Sequence, residues 1–133
     1  MTTIVTRLKI TAWDEKPVSE FDDGGKVTRA SGSLAEGIEG LTSGSFESVL
    51  FYRPDATTHY VMIMRLAANL DGRTGEFVLA GEGSYNGTTA ASEATVVLES
   101  ATGDLRGITG RCTSESTHAD YPFMPLVLTY ELP

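Results

Sequence analysis

The chain is poor in the residues that build metal sites and disulfides: one cysteine, Cys112, and two histidines, His59 and His118, in 133 residues. A lone cysteine excludes an internal disulfide, and three such ligands scattered along the sequence complete no recognisable metal set. Cations are scarce too. Ten Lys and Arg face eighteen Asp and Glu, a net charge of −8 that repels phosphate backbones and argues against a nucleic-acid partner. Nothing approaches the ~20 apolar residues of a membrane span, and "MTTIVTRLKITAW" lacks the unbroken apolar core of a signal peptide. A cytoplasmic protein without a membrane partner is the expectation. Apolar residues at helical spacing are missing as well, and there is no P-loop, nucleophile elbow, calcium loop or dinucleotide fingerprint; "GEGSYNG" opens no helix and reads as a hairpin.

What is there is alternation punctuated by glycine. Strands are expected at Ile4–Trp13, closed by Pro17, then at Lys26–Glu36, Ser43–Arg53, His59–Leu70, Glu76–Tyr85 and Thr88–Glu99. Ser100–Gly110 reads as a short helical turn and loop, and two further strands are expected at Arg111–Thr117 and Leu126–Leu132. A chain of 133 residues suits a single domain. Eight strands with short connections suggest an all-β antiparallel meander, whose edges are removed by closing it into a barrel.

Turn chemistry then proposes a register. Asn86-Gly87 as a two-residue hairpin places Gly81 opposite Ser92 and Gly83 opposite Ala90. A four-residue "DGRT" turn brings Met64 opposite Gly81, Met62 opposite Gly83 and Tyr60 opposite Tyr85, and a turn at Asp55-Ala56 sets Glu47 beside Met64. One face thus collects Glu47, Val49, Phe51, Tyr60, Met62, Met64, Leu66, Phe77, Leu79, Gly81, Gly83, Tyr85, Ala90, Ser92, Ala94 and Val96. It is apolar, with a hollow at the glycines. An eight-stranded barrel is wide enough to hold one small ligand or to be filled by side chains, and both readings stand: a cavity, or methionines plugging the space the glycines leave.

If Glu47 faces that interior, desolvation raises its pKa and makes it a general acid or base; the plainer alternative is a solvated outer glutamate. Tyr60 and Tyr85 offer phenols to a carbonyl or enolate, or form an aromatic pair at the rim. Val49, Phe51, Met62, Met64, Leu66, Phe77, Leu79, Gly81, Gly83 and Ser92 are the candidate substrate-binding positions. Cys112 reads as a small buried residue, and Arg65 as an outward one. Leu50 and Tyr52 with Val61 and Ile63 make an outer face too apolar for water, which predicts a homo-oligomer, a dimer first.

The order "WDEKP", "KVTRAS", "DGRTGEFVL", "SATGDLRGITG" and "LTYEL" resembles the bacterial domain-of-unknown-function 3224 family over nearly the whole chain. The resemblance implies a closed barrel similar to that of allene oxide cyclase, a calycin-like cup with a central cavity, on which cofactor-free cyclases of natural-product pathways are also built. Many members of that family carry a Glu-Arg pair on the fourth strand and a histidine on the fifth, where this chain has Met64-Arg65 and Gly81, so the resemblance implies no acid-base role at those positions. The expected function is a cofactor-free cyclase, isomerase or lyase acting on a small, largely apolar metabolite of secondary metabolism, with Glu47, Tyr60 and Tyr85 as its polar groups. The alternative is a carrier or sensor that binds such a molecule without chemistry.

Overall fold

The computed structural model describes residues 1–133. Eight strands follow one another around a closed antiparallel barrel: β1 (Thr2–Glu20), β2 (Lys26–Ala35), β3 (Leu41–Tyr52), β4 (Thr58–Leu70), β5 (Arg73–Tyr85), β6 (Thr89–Val96), β7 (Thr109–Thr117) and β8 (Phe123–Glu131). A single 3₁₀ turn, Gly103–Leu105, interrupts the meander between β6 and β7. No helix is long and apolar enough to cross a membrane.

The two ends of the barrel differ. At one end the interior is solid: Leu8, Leu66, Phe77, Leu79, Leu105, Leu126 and Leu128 are fully buried. Each such side chain contributes about 1.5–3 kcal/mol relative to exposure. The segment after β6 runs back along β5, with Val97 N–H donating to Val78 O and Thr102 N–H to Glu76 O, and so carries Leu105 into the floor. Gly75 makes this possible, because a Cβ there would stand 2.1 Å from Thr102 O.

At the other end the wall is split. The β1–β8 ladder stops at Lys9↔Phe123, and the β7–β8 ladder stops at Thr113↔Val127. After one further bond, from Ile10 N–H to Pro122 O, β1 pairs only with β2, and Ser114–Thr117 of β7 only with β6. Two prolines lie on this seam, where no ladder bond is asked of them. Pro17 pairs with Thr28 inside β1, which therefore runs on to Glu20 with bulges at Ile10/Ala12 and Pro17/Ser19 rather than closing at Pro17 as expected. Pro125 sits inside β8, which starts at Phe123 and not at Leu126.

Three turns differ from the expected register, and the size of each offset decides its consequence. Asp71 and Gly72, at φ 54° and 79°, form a two-residue turn with Leu70 opposite Arg73, so Met64 faces Leu79, Met62 faces Gly81 and Tyr60 faces Gly83. At the next hairpin the loop is Gly87-Thr88; Asn86 stays outside it, accepting from the Thr88 and Thr89 N–H groups, and Gly83 lies opposite Ser92, Gly81 opposite Ala94. Both offsets are two residues, which preserves the face. The β3–β4 turn is off by one, which does not. Arg53 N–H donates to Thr57 O and Ala56 N–H to Arg53 O, a three-residue loop with Pro54 leading a tight turn and Ala56 at φ 71°. Tyr52 therefore pairs with Thr58, and Phe46 rather than Glu47 pairs with Met64.

Candidate functional site

The split end opens into a cavity of about 730 Å³ lined by 23 residues, within the roughly 300–1,000 Å³ of small-molecule sites. Its wall is built in rows of paired strand positions. Nearest the mouth lie Tyr52, Thr58, Tyr85, Ala90 and Ser116; below them Leu50, Tyr60, Ser92 and Ser114; deeper still Ser48 and Met62, then Phe46 and Met64 above the solid floor. Ile10, Leu34 and Met124 complete the apolar depth, while Trp13, Tyr121, Phe123 and His118 surround the opening.

The cavity's lining contains no Lys, Arg, Asp or Glu. One carboxylate stands just behind it. Glu15 accepts from Tyr52 Oη at 2.6 Å, Thr28 Oγ1 at 2.7 Å and Trp13 Nε1 at 3.0 Å, which ties β1, β2 and β3 together at the mouth. Burial pushes the Glu15 pKa up, but the three donors together outweigh it, and the net shift is downward. Tyr52 responds in the opposite sense: burial, then its bond to the Glu15 carboxylate, pushes the phenol up to about 12. With its bonds so engaged, Glu15 holds the wall in place.

Two further polar groupings face the cavity. Tyr85 Oη donates to Gly87 O at 2.8 Å and lies 2.9 Å from His118 Nε2, the imidazole tautomer deciding which of that second pair is the donor. Deeper, the Tyr60 ring lies on the backbone of Gly83, where a Cβ would stand 2.5 Å from Tyr60 Cζ and Oη. Burial raises the Tyr60 pKa, opposed by the Ser92 hydroxyl. Other wall hydroxyls donate into the chain: Ser48 to Val61 O, Ser114 to Pro125 O and Thr58 to Ala56 O.

Of the residues singled out from the sequence, Tyr60, Tyr85, Met62, Met64 and Ser92 line the cavity. Glu47, Val49 and Phe51 do not: the odd loop turns them outward, where Glu47 pairs with Arg29 at 3.2 Å and Val49 and Phe51 are 45% and 39% exposed. Leu66, Phe77 and Leu79 belong to the packed floor. The glycines are seats rather than hollows. A Cβ at Gly81 would stand 1.9 Å from Glu93 O and 2.6 Å from Ala94 Cα, so backbone already fills its space. The expected pairing of Met64 with Gly81 becomes Met62 with Gly81, and Arg65 points outward to Glu76 at 2.8 Å. Tyr52 and Leu50, expected outside, are inside. The residues that sequence reasoning missed, Phe46, Ser48, Leu50 and Tyr52, all follow from the β3 offset, and Pro54 was its available signal because a proline leads a longer turn. Trp13 and Glu15 were missed with the continuation of β1, and His118 because a loop position carries no facing signal.

The fold and the cavity define an eight-stranded antiparallel barrel with one closed and one open end. The family described as "Protein of unknown function (DUF3224)" matches residues 5–126, and the chain belongs to that family. A crystal structure of a protein with unknown function from the DUF3224 family of Shewanella oneidensis MR-1 is similar over 99% of both chains, with a TM-score of 0.72 and 18% sequence identity. At that identity the likeness speaks for the fold alone. Among curated proteins none matches the chain.

Proposed function

We propose that the chain binds a small, largely apolar molecule inside the open half of its barrel. The single observation that carries this is a cavity of about 730 Å³ walled by 15 hydrophobic residues of 23, above a floor that is packed solid. Filling it with protein atoms would need the plug that Met62 and Met64 do not supply, since both line free space. The neutral dye N-phenyl-1-naphthylamine tests the reading. Saturable one-to-one fluorescence enhancement is expected, lost in Ala90→Trp and Met62→Trp variants that put an indole into the cavity at two depths; absence of binding, or binding that both variants retain, refutes it.

This places binding ahead of chemistry, because Glu47, the expected acid-base group, is on the outer surface and Glu15 is held by three donors. One observation favours a second reading, a cofactor-free cyclase or isomerase of the kind the allene oxide cyclase-like cup suggests. Tyr85 and His118 form a phenol–imidazole pair at the cavity mouth, a geometry suited to passing a proton to a bound guest. In that case confinement supplies the productive conformer. Turnover of a cognate intermediate from a neighbouring biosynthetic gene would fall in Tyr85→Phe and His118→Gln while binding persists.

A homodimer is part of the same proposal. On the outer face, Val49 pairs with Val61, Ile63 lies beside Glu47, and Phe51 packs near Phe21 with ring centroids 6.1 Å apart. Val61 and Ile63 are 49% and 56% exposed, a contiguous apolar patch for a second copy. Sedimentation at micromolar concentration should give a dimer that Ile63→Lys converts to monomer; a wild-type monomer removes the dimer from the proposal.

A further inference from the structure

Resting on the binding reading, we infer that the guest is uncharged, carries an oxygen acceptor such as a carbonyl, and is anchored by the Tyr60–Ser92 pair.

Proton accounting along the wall leads there. Below the mouth row, Ser48 and Ser114 spend their hydroxyl hydrogens on Val61 O and Pro125 O. At the mouth, Tyr52 donates to Glu15 and Tyr85 to Gly87 O, while the Ser116 hydroxyl, which has no partner in the chain, lies in this outermost row rather than at depth. The Tyr60 and Ser92 hydroxyls, set in one row across Gly83 and both facing the cavity, donate to no carbonyl or carboxylate of the chain. Two hydroxyls hold two hydrogens, and even a bond between them would use only one. At least one is left to point into the cavity, halfway down its wall. Burial keeps the Tyr60 phenol protonated and so a donor. The pair is also held in position: the Tyr60 ring is seated on Gly83, which a side chain there would displace.

Charge excludes the alternatives. A carboxylate at this depth would meet no cation, since none lines the cavity. Behind the wall, Lys26 stands over the Tyr52 ring at 5.1 Å and Arg7 over the Phe123 ring at 4.3 Å, each separated from the interior by an aromatic ring. Glu15, and Asp22, Asp23, Asp55 and Asp120 on the loops of the open end, outnumber the Arg53 of those loops. An anion is therefore disfavoured on approach and unpaired on arrival. A cation finds no free carboxylate inside.

Competition against N-phenyl-1-naphthylamine at pH 8 separates the outcomes, using 2-decanone, decanoate and decyltrimethylammonium at equal chain length. 2-Decanone should displace the dye at least about tenfold better than either ion. Tyr60→Phe should lower the affinity for 2-decanone, expressed relative to that for the dye in the same variant, about 3- to 10-fold, the effect of one lost hydrogen bond. Ser92→Ala gives the same readout without touching the ring's packing, should Tyr60→Phe disturb the barrel. Decanoate or the ammonium competing as well as the ketone, or ketone affinity relative to the dye unchanged in both variants, overturns the inference and leaves the binding reading intact. If the dye does not bind at all, both fall.

Discussion

Replacing Gly81 by alanine tests whether the glycines of β5 are hollows or seats. A methyl group in a hollow is harmless, and the Gly→Ala change would even stabilise by about 0.4–1 kcal/mol through the unfolded chain. The structure gives the opposite sign. The new Cβ would stand 1.9 Å from Glu93 O and 2.6 Å from Ala94 Cα, both backbone atoms of β6, so β5 and β6 must separate along the Gly81↔Ala94 pair. Overpacking of this kind costs about 1–3 kcal/mol, and contacts with main chain place the expectation at the upper end. At Gly83 two obstacles differ in kind: the Tyr60 ring at 2.5 Å is able to swing into the cavity, but Ala91 O at 2.6 Å is fixed. Gly83→Ala should therefore cost less than Gly81→Ala, and Tyr60→Leu should relieve only part of it. Gly72, with φ 79° and nothing within 4 Å, is the control, in which the left-handed conformation alone costs about 1 kcal/mol. Urea denaturation at constant m-value measures all three. A Gly81→Ala variant as stable as wild type, or no worse than Gly72→Ala, would refute the close approach of backbone on which the seating of Tyr60 also depends.

The Glu15 network predicts a pH signature at both ends of the scale. Tyr52 is raised to about 12 against an ordinary 10.0, so the folded state retains a proton the unfolded chain loses, and stability declines as pH rises from about 10 to about 12. Glu15 is lowered from 4.5, so its contribution is present above 4.5 and is lost as pH falls through the lower folded value. In Glu15→Gln the Tyr52 phenol should titrate closer to 10, seen by absorbance at 295 nm, and the stability difference from wild type should shrink on acidification; an unchanged tyrosine titration would contradict the bond. Cys112 is 3% exposed and burial pushes its thiol up to about 12, so it should resist Ellman's reagent at pH 8 and react only at the rate of global opening, measurable by its dependence on urea. Rapid labelling of the folded protein would place the thiol elsewhere. Leu105→Ala, removing a fully buried side chain from the floor, should cost about 2–5 kcal/mol in urea denaturation, and a loss below 1 kcal/mol would mean the 3₁₀ turn is not part of the core.

Local alternation was enough to find the strands and the closed all-β form, because each side chain's face follows from the one before it at a period of two. It was enough, too, for the facing of β4, β5 and β6: Met62, Met64, Tyr60 and Ser92 point inward even though two hairpins slide by two residues, since an even slide keeps every residue on its face. What local pattern did not determine was parity across Arg53–Thr57. There one residue of loop length, held by Pro54 and by Ala56 at φ 71°, exchanges Glu47, Val49 and Phe51 for Phe46, Ser48, Leu50 and Tyr52, and with them the chemistry of the wall. Nor did it reveal the Glu15 network, whose members at 13, 15, 28 and 52 meet only when three strands are assembled. The emptiness of the open half is likewise a tertiary matter. Strand composition says which side chains face inward, but whether they meet at the centre depends on where the β8 ladders stop and how closely β5 and β6 approach, and those distances belong to the closed barrel as a whole.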